Sequence, residues 1–151
     1  MNEFGDVFAS AFDRLQSHML AACIEESEWP DQVAVGIRAA FEFASYDPAS
    51  ARVLACDAIT QGRAGFDLYE RMIEAIAARL EPGRAEHPDG NWLPGITEKA
   101  LVGGSTTLVA QNIERGRHEE LPALVPETIQ FVLTPYVGAD RARTLAMRYG
   151  A

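Results

Sequence analysis

The chain has 151 residues, long enough for one domain to bury a continuous core without disulfide or metal staples. Its 22 acidic and 13 basic side chains leave a formal net charge of −9, which argues against a nucleic-acid surface, since phosphate binding needs clustered Lys and Arg; this chain alone is not expected to bind DNA. No apolar run approaches membrane-span length, and the acidic N-terminal region lacks the basic start and apolar core of a signal peptide, so a cytoplasmic protein with no membrane contact is expected.

Phe4, Phe8, Ala11, Leu15, Met19 and Ala22 recur at helical spacing, with Phe12 and Cys23 alongside, which predicts a long amphipathic helix from Phe4 to about Glu26. Pro30 sits where first-turn prolines are tolerated, and Val33, Ile37, Ala40, Phe41 and Ala44 make the stripe of a second helix. Gly36, Ala39 and Phe43 widen that stripe, so the second helix reads as central. Asp47-Pro48 is a start signal, an N-cap carboxylate followed by a first-turn proline, for a third helix reaching about Thr60. Beyond Gly62 and Gly65, a fourth helix carries Phe66, Tyr69, Met72, Ile73, Ile76, Ala77 and Leu80 on one side. The run PGRAEHPDGNWLP, Pro82 to Pro94, is loop by composition and is expected to be mobile.

Two further helices follow, Glu98 to Arg117 and Leu121 to Gly138, with more apolar surface than one small domain readily buries. On the second, Val125, Ile129, Val132, Leu133 and Tyr136 share a face, Leu124 and Phe131 share another, and only Glu127, Gln130 and Thr134 form a polar strip. A helix apolar nearly all round, so near the chain end, reads as shared between two cores. Proline disfavours helical geometry in the residue before it, so this helix should end or kink near Thr134. Ala139 to Tyr149 forms a last short helix. With no strand-like alternation, no repeat and no dividing linker, the whole chain, 1–151, reads as a single all-α domain, an antiparallel bundle of about six to seven helices.

The chemistry-bearing residues are sparse. Cys23 and Cys56 match no metal or redox spacing and read as free thiols. His18, His87 and His118 are scattered and form no metal-binding pair, so no metal and no cofactor are expected. Gly103-Gly104-Ser105-Thr106-Thr107 lacks the Gly-Lys-Ser/Thr ending of a phosphate loop and lies within a helix. No catalytic residue is assigned, and an enzyme is not expected. Bundles hold ligands between helices in mostly apolar cavities. Phe12, Met19, Cys23, Phe41, Tyr69 and Met72 are candidates to line such a cavity, although the same residues also make plain core. On the Gly-Gly helix, Ala100, Gly103, Thr107, Gln111 and Glu114 form a face apart from that of Val102, Val109 and Ile113. Thr107 and Gln111 there are candidates to anchor a polar ligand atom, to pair across an interface, or simply to meet solvent.

Two motifs carry a family resemblance: the mid-helix Gly103-Gly104 leading to Ile113-Glu114-Arg115-Gly116-Arg117, and Leu121-Pro122 through Leu133-Thr134-Pro135-Tyr136-Val137-Gly138. They resemble the C-terminal half of TetR-family transcriptional regulators. Trp29-Pro30 leading to Phe41-Glu42-Phe43 and Asp47-Pro48 is similar to the central helix of that family, and Glu3 to Asp13 to the start of its connecting helix. The resemblance implies an effector-binding and dimerisation domain that holds an unknown, largely apolar small molecule and pairs as a homodimer. It implies that Val102, Gly103, Gly104, Val109, Ile113, Val125, Ile129, Val132, Leu133 and Tyr136 face the mate, so that Val132→Arg should give a monomer. A complete regulator carries about three more helices upstream, a helix-turn-helix that this chain is expected to lack. The rival readings are a ligand-free dimerisation or interaction module and a small α-helical enzyme.

Overall fold

A computed structural model describes residues 2–150. Seven α-helices and several short 3₁₀ turns account for the fold, and there is no strand among the described residues. The helices are α1 (Glu3–Cys23), α2 (Trp29–Tyr46), α3 (Pro48–Arg52), α4 (Gly62–Ala77), α5 (Thr97–Glu114), α6 (Val125–Val137) and α7 (Ala139–Tyr149). They form the all-α bundle that the helical periodicities predict.

The Asn2 side chain opens α1 by accepting the Gly5 amide at 2.7 Å, and Phe8, Ala11 and Leu15 turn inward at helical spacing. Pro30 lies in the first turn of α2, and the buried residues of this helix, among them Ala34, Val35, Gly36, Phe41, Phe43 and Ala44, reach round most of its circumference. That distribution makes α2 the central helix: it packs on α1, α3, α6 and α7. Asp47 caps α3 as predicted, accepting the Ser50 amide at 3.1 Å and the Ser50 hydroxyl at 2.7 Å. The chain does not then run on as a plain α-helix to Thr60. It widens into a π turn at Val53–Asp57 and tightens into a 3₁₀ turn at Ala58–Thr60. Gly65 lies flush against the Ala58 carbonyl, leaving no room for a Cβ.

The proline- and glycine-rich stretch after α4 is more ordered in its bonding than its composition suggests. It folds into 3₁₀ turns at Glu81–Ala85 and Gly90–Trp92. Arg84 reaches across it to the carbonyls of Leu93 at 2.9 Å and Pro94 at 2.8 Å, and pairs with Glu98 at the start of α5 at 2.8 Å. Gly90 sits against the Arg84 backbone carbonyl, closer than any side chain allows. Because backbone on both sides must shift, Gly90→Ala is expected to destabilise by about 1–3 kcal/mol, measured by urea unfolding.

Gly116 ends α5 at φ +68°, and a 3₁₀ segment, His118–Leu124, buries Leu121 before α6 begins at Val125, four residues later than the sequence suggests. Pro135 does not end α6. The helix continues to Val137 and closes where the Gly138 amide donates to Thr134 O at 3.0 Å. The amide that Pro135 lacks would have bonded the Phe131 carbonyl on the exposed side of the helix, where water can replace it. Gly138, at φ +87°, turns the chain into α7, whose Ala142, Leu145 and Ala146 pack inward against α6. The Tyr149 hydroxyl then ties the end of α7 to α2 through Asp31 at 2.6 Å.

Candidate functional site

A cavity of about 530 Å³ lies between the helices, within the range of roughly 300–1,000 Å³ common to small-molecule sites. One side is the second half of α1, with Leu15, Met19 and Cys23. The central helix contributes Val33, Gly36, Ile37, Ala40, Phe41 and Ala44, while α3 and the π turn add Ala51, Leu54 and Ala55. Met72 and Ile76 of α4, Val102, Ser105, Thr106 and Val109 of α5, and Val132 of α6 close the rest. Two sequence features create the space. Gly36 places a missing side chain in mid-helix, where a Cβ would meet only Cys23 Sγ at 3.7 Å and Met19 Cε at 3.8 Å. The π turn inserts an extra residue into a helical turn, a device that recurs at functional sites, and its Leu54 and Ala55 line the chamber.

The chamber opens to solvent where its lining residues are exposed: Leu20 at 48%, Ile24 at 83%, and Arg79 just past α4. Trp29 stands beside this mouth. Its indole N–H donates to Arg79 O at 3.0 Å, and its ring meets Tyr136 edge-on at 5.3 Å between centroids.

Polar groups in the wall are few and largely satisfied by the protein itself. The Ser105 and Thr106 hydroxyls donate to Leu101 O and Val102 O of their own helix, both at 2.8 Å. Each therefore offers the chamber an accepting oxygen and no proton. Gln32 donates its amide to Glu26 O at 2.9 Å. Among the described residues no buried side-chain nitrogen or oxygen lacks a partner. Arg79 is the one charged residue of the lining, which contains no carboxylate and no imidazole among the described residues.

Burial raises the Cys23 thiol pKa, opposed by the positive charge of Arg79, and its S–H donates to Gln32 O at 3.3 Å. Burial, with Glu114 adding to it, pushes Cys56 up to about 11, and its thiol faces Ala110 O. Both cysteines are therefore neutral free thiols near pH 7. No group of three or more His, Cys, Asp or Glu side chains gathers as metal ligands among the described residues.

Of the residues singled out as ligand contacts, Met19, Cys23, Phe41 and Met72 do line the chamber. Phe12 does not: it is half-buried in the first half of α1, its ring tilted against that of Phe8 with centroids 6.4 Å apart. Tyr69 is half-buried on α4, outside the lining. Thr107 and Gln111 are exposed on the outer side of α5, and the Thr107 hydroxyl donates back to Gly103 O at 2.9 Å. The α5 hydroxyls that reach the chamber are those of Ser105 and Thr106. Gly36, noted in the sequence only as widening an apolar stripe, marks the site most directly. Gln32, Trp29 and Arg79 carry no local signal, because they come together only where the first turn of α2 meets the chain just past α4, at the Trp29–Arg79 hydrogen bond.

The face of α5 and α6 assigned to a mate is mostly the inward one. Ile129, Leu133 and Tyr136 are fully buried within the single chain, and Val102, Ile113, Val125 and Val132 are buried too. Val109 is half-buried on the chamber wall. These side chains are already spent on the chain's own core. What the two helices present outward is Gly103 with open space before it, Gly104, where a Cβ would meet the Phe131 ring at 3.5 Å, and the exposed Thr107, Gln111, Phe131 and Thr134.

Fold and site together define an all-α bundle with an apolar, open-mouthed interior chamber. No family model, no curated protein and no solved structure matches this chain.

Proposed function

We propose that this chain is a small-molecule-binding domain that admits a largely apolar ligand to the chamber, a role like that of the effector-binding domains of TetR-family regulators. The observation that carries this reading is the chamber itself: some 530 Å³ between apolar walls, in a bundle whose central helix gives up a side chain at Gly36 to leave it open. In a regulator of that kind, ligand entry shifts the helix leading to the DNA-binding head. The corresponding helix here is α1, whose Leu15, Met19 and Cys23 form the chamber wall, so an occupant would bear on it directly. The same reading supplies a second copy of the chain as partner, seated on the outer side of α5 and α6 around Gly103 and Phe131.

Gly36 separates stability from binding. Gly36→Ala should stabilise the protein by about 0.5–1 kcal/mol, since alanine is the better helix former and its Cβ makes only ordinary contacts. It should still bind phenylnaphthylamine, a neutral fluorescent apolar probe. Gly36→Leu should fill the chamber and weaken that binding at least about tenfold while the fold persists, as judged by circular dichroism. Wild-type protein that gives no saturable probe fluorescence would sink the proposal.

A further inference from the structure

We infer that the chamber takes an amphipathic anion, a chain-like apolar tail ending in a carboxylate, with the head group held at the mouth by Arg79. The inference rests on the chamber being a ligand site and goes on to specify what enters.

Three observations lead to it. First, the deep wall is unsuited to charge: its hydroxyls, Ser105 and Thr106, have given their protons to their own helix, and no carboxylate, imidazole or ammonium lines it among the described residues. A charged group pushed inward would lose its hydration with no partner to replace it. The tail must therefore go in and any charge must stay at the rim. Second, the rim has one cation. Arg79 is exposed, makes no ion pair among the described residues, and its charge is felt at the Cys23 thiol on the chamber wall, opposing the effect of burial there. Arg63, Arg71 and Arg115 are also exposed and make no ion pair among the described residues, so what sets Arg79 apart is its place on the chamber lining, where its guanidinium can meet an anion. The Glu26 carboxylate, whose negative charge also reaches Cys23 and raises its pKa, lies 3.4 Å from the Tyr149 hydroxyl and makes no ion pair with Arg79. Third, the rest of the mouth is apolar. Leu20 and Ile24 are exposed beside Arg79, matching the carbons next to a head group.

The backbone of Arg79 is fixed independently of its side chain, since its carbonyl accepts the Trp29 indole proton. Arg79→Gln and Arg79→Glu therefore change charge at an exposed position without disturbing that contact. The test compares dodecanoate, dodecanol and dodecylamine as competitors for bound phenylnaphthylamine, at low ionic strength and below micelle-forming concentrations. Wild-type protein should prefer dodecanoate over dodecanol by about three- to tenfold, the range of an exposed charge-assisted contact, and added salt should shrink the preference. Arg79→Gln should abolish the preference and leave dodecanol affinity unchanged, while Arg79→Glu should turn it toward dodecylamine. Equal wild-type affinity for acid and alcohol, or a preference that survives Arg79→Gln, overturns the head-group assignment and leaves the chamber standing. Failure of all three compounds, together with a probe that never binds, overturns the chamber reading and this inference with it.

Discussion

Glu98→Ala is expected to lower the free energy of unfolding by about 3 kcal/mol, a large part of the 5–15 kcal/mol typical of a domain. Glu98 is buried at the start of α5, yet it is an ionised carboxylate with every strong partner in place. Arg84 meets it with two parallel bonds, Nε to Oε2 at 3.0 Å and Nη2 to Oε1 at 2.8 Å, and the buried Tyr136 hydroxyl donates to Oε2 at 2.7 Å. Removing the carboxylate strands the Tyr136 hydroxyl in the core and frees Arg84 from its anchor on α5. The consequence spreads because Arg84 also holds the Leu93 and Pro94 carbonyls, so the segment between α4 and α5 loses its brace. Tyr136→Phe, which removes one hydrogen bond and leaves the ion pair, should cost only about 1 kcal/mol.

The same network sets an acid dependence with a definite sign. Burial pushes the Glu98 carboxyl up, but hydrogen bonds from Arg84, Tyr136 and a backbone amide, with the Arg84 charge, together outweigh it and hold the pKa below the ordinary 4.5. A depressed folded-state pKa means that the unfolded chain binds the proton more readily. The stabilisation is therefore complete above about 4.5 and is lost as pH falls through the lower folded value. Tyr136 shifts the other way: burial, and then the neighbouring Glu98 charge, raise its pKa above the ordinary 10.0, so its contribution is complete below that value and fades in strong alkali. Urea midpoints measured across the acid range should fall less steeply for Glu98→Gln than for wild type. Parallel curves would show that Glu98 is not a principal source of acid sensitivity.

Where a helix begins and ends was largely legible from local chemistry. Asp47-Pro48 caps α3, and Gly138 hands α6 over to α7, because capping and positive-φ turns are decided by a few adjacent residues. What periodicity cannot say is what a buried face is buried against. Val125, Ile129, Leu133 and Tyr136 are apolar at helical spacing whether they meet α2 and α7 or a second chain, and here they lie in the chain's own core. That Thr107 and Gln111 stayed open between ligand, interface and solvent has a related cause. On α5 apolar and polar residues are mixed around the circumference, so nothing in the pattern fixes the rotation that turns Ser105 and Thr106 inward. Arg84 was hidden for a different reason: in a run of Pro and Gly it looks like a solvated loop residue, and its partners lie up to 14 positions away.

The sharpest separation between core and partner surface comes from two neighbours on α6. Val132 is 3% exposed and lies on the chamber wall, whereas Phe131, one residue and about 100° round the helix, is 49% exposed and rests its ring on Gly104. Val132→Arg should therefore unfold the protein and not merely separate two copies. An arginine there would be driven among apolar side chains with no carboxylate on the chamber wall to pair with, a penalty of more than about 4 kcal/mol that a domain of this size cannot spare. Circular dichroism should show lost helix and lost cooperative melting. Phe131→Arg places the same charge in solvent and should keep both helix content and melting cooperativity. If a second copy sits on the outer side of α5 and α6, wild-type protein should sediment as a dimer and Phe131→Arg as a folded monomer. A wild-type chain that is monomeric at micromolar concentration, or a Phe131→Arg variant that remains a dimer, rules out that face as the seat of a second copy. Only a residue that is exposed in the single chain can make this distinction, because substituting any of the buried α6 residues confounds loss of pairing with loss of the fold.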